Sequence, residues 1–226
     1  MSQMSYQPSQ EQAHGFIREN QIKTLVFGLP SMEKQDTNTH DISHTENKFN
    51  SNESCSIKTT QSSVICCGDI IRIHDYINEI NSGREITIII IQQEQCGDTK
   101  QIVNIVEIPF TKEFHNYLFR PDLLHRDDLV CYDKYIRQIP PGKEGQQEEK
   151  EIRDCWKNSM QEECELGITI NPKVDSKKQR RVQCSFSLKN INIQKFIKKN
   201  SLVDFNKPNI CRNIEIPLYI SSKKRK

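Results

Sequence analysis

Apolar and polar residues alternate over much of this chain, a period that predicts more strand than helix. The run "QIKTLVFGL", 21–29, is rich in strand formers and is broken at Gly28 and Pro30. Residues 31–62 are almost wholly polar and predict a long mobile loop, with a short strand in "SCSIKTT". In "DIIRIHDYI", 69–77, strand parity turns Ile71 and Ile73 toward a core and groups Arg72, His74 and Tyr76 on the opposite face. A turn at Ser82-Gly83 leads into "EITIIII", whose four successive isoleucines predict a strand covered on both faces. "TKQIVNIVEIPF" is a further strand, ended by Pro109.

Helical spacing takes over across 112–137, with Leu123, Leu124, Val130, Tyr132 and Ile136 as the apolar set. It returns across 148–164, where Ile152, Cys155, Trp156 and Met160 form one stripe. "LGITINP" and "RRVQCSFSL" then alternate like a strand pair. Parity puts Arg181, Gln183 and Ser185 on one face and Val182, Cys184 and the core residue Phe186 on the other. The fold class expected is α+β. Residues 1–15 are disordered, 16–112 form an OB-like five-stranded antiparallel β-barrel, and 113–165 are helical with a Pro/Gly break. A small basic β-containing region, 166–220, and a basic tail, 221–226, complete the chain.

Composition changes this picture in two ways. A hydrophobic fraction of 35% and a mean hydropathy of −0.72 place part of the chain outside any core. No run reaches the ~18 apolar residues of a membrane span, and "MSQMSYQPSQEQAHG" lacks the basic start and apolar stretch of a signal peptide. An intracellular protein with reduced thiols and no membrane partner is therefore expected. The nine cysteines show no C-x-x-C, and His115 and His125 are too widely spaced for a zinc finger, so neither metal nor cofactor is expected.

Charge adds an asymmetry. Residues 177–226 hold 14 Lys or Arg against 2 Asp or Glu, or +12, while the rest of the chain carries −10. A cationic third points to an anionic partner. Lys177, Lys178, Arg180 and Arg181 are the densest candidates for phosphate contacts. The last four residues, Lys223, Lys224, Arg225 and Lys226, form a short cluster of the nuclear-import kind, so a nuclear location is expected.

Catalytic signals fail on their own mechanics. "HRDDL", 125–129, has the look of a kinase catalytic loop, but no Gly-rich loop, strand lysine or Asp-Phe-Gly accompanies it. "GDTK" lacks phosphate-loop spacing, and no Gly-x-Ser-x-Gly occurs. The expectation is a protein that is not an enzyme.

"GDIIRIH", 68–74, followed by a polar turn and a second β run, resembles the Gly-Asp-hydrophobic-Arg-hydrophobic segment of telomeric OB-folds. That segment is shared by telomere end-binding and protection-of-telomeres proteins and by the Stn-type subunit of the CST complex. "NSGREITIII" and Arg120-Pro121 are similar to the Stn-type continuation, and the resemblance spans at most residues 20–121. It implies a subunit of a nuclear complex that binds single-stranded DNA, in its finest form telomeric, with other subunits as partners. Arg72, His74, Tyr76 and Arg84 would then be barrel contacts, beside the basic group at 177–181. Asp75 stands where the end-binding family carries a basic residue, which opposes a phosphate path. The alternative is a protein–protein scaffold without nucleic-acid contact.

Overall fold

The strand formers of 21–29 do not make a strand. In the computed structural model, which describes residues 10–31, 39–139, 147, 150–174, 180–202 and 209–221, helix α1 (Gln10–Gln21) runs into a π-helical turn, Ile22–Phe27. Helical spacing buries Ile22, Val26 and Phe27 together and leaves Leu25 exposed. Gly28, at φ 75, ends the turn with its N–H on the carbonyls of Lys23 and Thr24. Burial of one helical face overrides β-propensity, which describes fit to a pleated surface rather than a backbone constraint. Residues 10–15 belong to α1 and so are not part of a disordered tail.

The chain divides into two compact units that interleave in sequence: 1–63 with 87–108 and 197–226, and 64–86 with 109–196. The consecutive division into barrel, helical segment and basic region does not follow these boundaries.

The first unit is built on a five-stranded sheet. Strands β1 (Glu53–Thr60), β3 (Glu85–Cys96), β4 (Thr99–Pro109) and β10 (Tyr219–Ser221) lie in the order β1-β3-β4-β10, and β7 (Lys199–Leu202) also pairs with β4. β4 holds β10 along Thr99–Gln101 and β7 along Asn104–Glu107, both antiparallel. This is an open sheet and not a closed barrel, since among the described residues β1 pairs with neither β10 nor β7. Ile22, Val26 and Phe27 pack on Ile57, Ile89, Ile91, Ile102 and Ile105. Ile88 to Ile91 are all buried, so the doubly covered strand expected from the isoleucine run is present.

Within the polar 31–62 stretch, the described residues 39–62 are more ordered than their composition suggests. Ile42 is fully buried and exchanges backbone hydrogen bonds with Cys55, and the Asp41 carboxylate accepts from the Ile57 N–H. The hairpin β8 (Asn209–Cys211)–β9 (Ile214–Ile216) turns through Arg212 and Asn213, both at positive φ. From that turn the Arg212 guanidinium grips Glu53 at 2.6 and 2.8 Å and reaches Glu107 at 3.2 Å, beside the rings of Phe27 and Phe49. Burial pushes the Glu53 carboxyl up, but hydrogen bonds from Arg212, Thr87 and Asn47 outweigh it and hold the group at about 2.

The second unit is a three-stranded antiparallel sheet covered by helices. β2 (Val64–Asp69), β6 (Arg181–Ser187) and β5 (Thr169–Lys173) lie in the order β2-β6-β5. Helices α2 (Ile70–Asn81), α3 (Lys112–Phe119), α4 (Arg126–Gln138), α5 (Lys150–Glu163) and the short α6 (Ile191–Gln194) complete it. The β5–β6 pair and the helices within 112–137 and 148–164 match the sequence pattern.

"DIIRIHDYI" does not. It is the start of α2, and three causes are visible. Gly68, at φ 92, sits in a bulge that ends β2. The Asp69 carboxylate then accepts from the N–H groups of Ile71 and Arg72 and caps the helix. Finally, Ile70, Ile73, His74 and Ile77 fall at helical i, i+3, i+4, i+7 spacing.

Candidate nucleic-acid interface

The helical course of 70–81 dissolves the exposed trio expected from strand parity. His74 is 7% exposed and Tyr76 1%. Tyr76 packs edge-on to Phe110 at 5.3 Å, and His74 meets His115 at 4.6 Å and Phe119 at 4.9 Å between ring centroids. Neither imidazole makes a well-formed hydrogen bond through its ring nitrogens. Burial pushes His74 down to about 4, helped by His115 and Arg126 and opposed by Asp75; burial also lowers His115. A neutral buried pair is no phosphate contact. Asp75 is occupied as well, held by Arg126 at 2.6 and 2.7 Å. Arg84 follows the turn after α2, half-buried, at the opposite end of that helix from Arg72.

The β2-β6-β5 sheet offers a better surface. Its registers put Ile65, Phe186, Cys184, Ile170 and Val182 on the side of the core, as parity predicts. The other side carries rows of polar residues. Val64 stands opposite Ser187; Cys66, Ser185 and Thr169 form the next row; Asp69, Gln183 and Asn171 the third; Arg181 and Lys173 the last. All but Ser185 are at least partly exposed. Asn171 bonds Ser185 across the strands at 2.8 Å. Among the described residues the face bears no aromatic ring.

Charge collects at the Arg181–Lys173 end. These two residues are direct cross-strand partners of like sign, an arrangement that destabilises a sheet unless an anion lies between or beside them. The Arg181 Nε is buried without a hydrogen-bond partner. The acids nearby are already engaged. Asp133 accepts from the Val182 N–H at 2.7 Å and from Arg137 at 2.5 Å, and Arg137 also reaches Asp69 at 3.6 Å. Arg180 donates to the carbonyl of Ile139, just past α4. Arg72 folds back over Gly68, where a Cβ would meet its Nη2 at 3.2 Å.

Of the residues singled out from the sequence, Arg72, Arg180 and Arg181 thus come to one end of this unit, and His74, Tyr76 and Arg84 do not. Lys177, Lys178 and the tail cations Lys223, Lys224, Arg225 and Lys226 lie outside the described residues. Lys173 and Arg137 escaped the sequence reading. The register that sets Lys173 against Arg181 is fixed by pairing across a long connection, which no short turn motif specifies. Arg137 gains its place only from the packing of α4.

"HRDDL" is a helix start. Asp128 accepts from the His125 N–H at 3.1 Å, and Asp127 and Asp128 lie in the first turn of α4, where carboxylates favour the helix dipole. Among the described residues no group of three or more His, Cys, Asp or Glu is placed to hold a metal ion, and no helix is long and apolar enough to cross a membrane. No family model, curated protein or solved structure matches this chain.

Proposed function

We propose that the chain is a non-enzymatic binding module for single-stranded nucleic acid and that the strand runs over the open face of the β2-β6-β5 sheet. The observation that carries this reading is the like-charge pair Lys173–Arg181 at the cationic end of that face. Lys177 and Lys178 belong to the connection between the two strands, so the sequence adds cations to the same hairpin. The phosphates of a single strand can satisfy such a group. The central rows of amide and hydroxyl groups suit sugar and phosphate oxygens.

DNA, with a telomeric strand as its finer form, is what the sequence resemblance at 68–74 implies, although that segment folds as a bulge and a helix start. An OB-like role for the five-stranded sheet, partner subunits and import through the terminal cations complete the proposal. Titration of labelled single-stranded DNA and RNA with the full chain at low salt tests it, with telomeric repeats among the DNA probes. Saturable binding is expected. Absence of binding to every oligonucleotide at low salt overturns the reading and leaves the protein scaffold as the alternative.

A further inference from the structure

The open face of the β2-β6-β5 sheet has cations at both ends. Lys173 and Arg181 pair across the strands at one end. At the other, β6 finishes at Ser187, and the exposed Lys189 follows two residues later, its backbone N–H donating to the Ser187 hydroxyl. Arg181 and Ser187 are the first and last residues of β6, ~20 Å apart at ~3.4 Å per residue, so several consecutive phosphates fit between the two ends. The rows between them are short and polar: Cys66, Ser185 and Thr169, then Asp69, Gln183 and Asn171. Asn171 donates to the Ser185 hydroxyl at 2.8 Å and ties β5 to β6 on this side. The acid of these rows, Asp69, is engaged by the fold, its carboxylate accepting from the Ile71 and Arg72 N–H groups. The single aromatic residue on the three strands, Phe186, lies on the opposite side, 2% exposed and edge-on to Phe114 at 5.8 Å between ring centroids.

Resting on the proposed binding of a single strand, we infer that this face holds the strand by its sugar–phosphate backbone alone and turns the bases to solvent. The orientation follows from which chemistry lies on which side of the sheet. Cations at both ends attract phosphates, and the hydroxyl and amide groups between them donate to phosphate and sugar oxygens. Stacking needs a planar side chain, and the aromatic residue of these strands is committed to the core. The ligand class is therefore a phosphodiester strand held without regard to its sequence, whose bases stay open to pairing with a complementary strand.

The experiment titrates the full chain into two labelled single strands of equal length, one base-bearing and one abasic, at low salt. Permanganate then probes the thymines of the bound base-bearing strand. Affinities within ~5-fold of each other are expected, since one stacked base would by itself add about that factor. Thymines of the bound strand should oxidise as fast as those of the free strand. Lys189→Ala should flatten the slope of log K against log salt by ~0.7, the share of one phosphate contact on a single strand. Affinities that differ by more than ~5-fold, or thymines protected at saturation, overturn the base-out inference and leave the proposed function intact. A wild-type slope in Lys189→Ala removes the second cationic end and overturns the inference in the same way. Failure of both strands to bind at low salt overturns the proposed function as well.

Discussion

Two buried polar groups govern how single residues set the stability of this protein. Arg212 bridges Glu53 and Glu107 inside the first unit, and all three side chains are at most 12% exposed. Removing one partner strands a buried charge, which costs about 3–5 kcal/mol. Arg212→Met should therefore lower the urea midpoint markedly, and a change below about 1 kcal/mol would show the cluster to be solvated. His74 also ties stability to pH, through burial of a neutral ring and not through an ion pair. Its folded pKa of about 4 lies below the ordinary 6.5, so between those values the unfolded chain binds the extra proton. Stability from this group is complete above pH 6.5 and falls as pH drops toward 4, by about 2 kcal/mol between pH 7.5 and 5. Urea melts at the two pH values should differ by that amount, and His74→Leu should reduce the difference. Melts that coincide in the wild type would contradict a buried neutral imidazole. Phe186 was legible as core because its strand alternates, but the burial of His74 and Tyr76 was not. Period two and period 3.6 give similar patterns over a few residues, and the cap that decides between them is a single aspartate.

Elements end and begin here through local backbone chemistry that can be broken one position at a time. Asp69 both caps α2 and receives Arg137. Asp69→Ala should cost about 1 kcal/mol, with Asp69→Asn retaining most of the cap. Gly167 is a tighter constraint, because a Cβ there would lie 2.6 Å from a Tyr117 ring carbon and 2.7 Å from its carbonyl oxygen. The backbone oxygen cannot swing aside, so Gly167→Ala should cost about 1–3 kcal/mol or more, read as a drop in thermal midpoint. An unchanged midpoint would mean that the loop before β5 packs differently. The strands at 85–96 and 99–109 could be read from their runs of strand formers, and the helices within 112–138 and at 150–163 from apolar residues at helical spacing, although only Met160 of the last stripe is buried. The π-helical turn at 22–27 could not, since its strand-forming composition is overridden by packing with residues far along the chain, from Ile57 to Ile216.

At the scale of the whole molecule, interleaving of the two units explains why composition along the chain misplaced the domains. The first unit draws its sheet from three separated segments, so no shift in composition marks its edges. The charge asymmetry of the sequence includes Arg181, which lies on β6 of the β5–β6 hairpin. The structure then supplied Lys173 as its cross-strand partner. The proposed site requires that this pair meet phosphates. Its direct measurement is the salt dependence of single-strand affinity for the wild type and for the Lys173→Ala/Arg181→Ala double variant. Two lost phosphate contacts should flatten the slope of log K against log salt by ~1.4 and weaken binding at low salt while the thermal midpoint holds or rises. A double variant with the wild-type slope and affinity would contradict the account and move the site off this face.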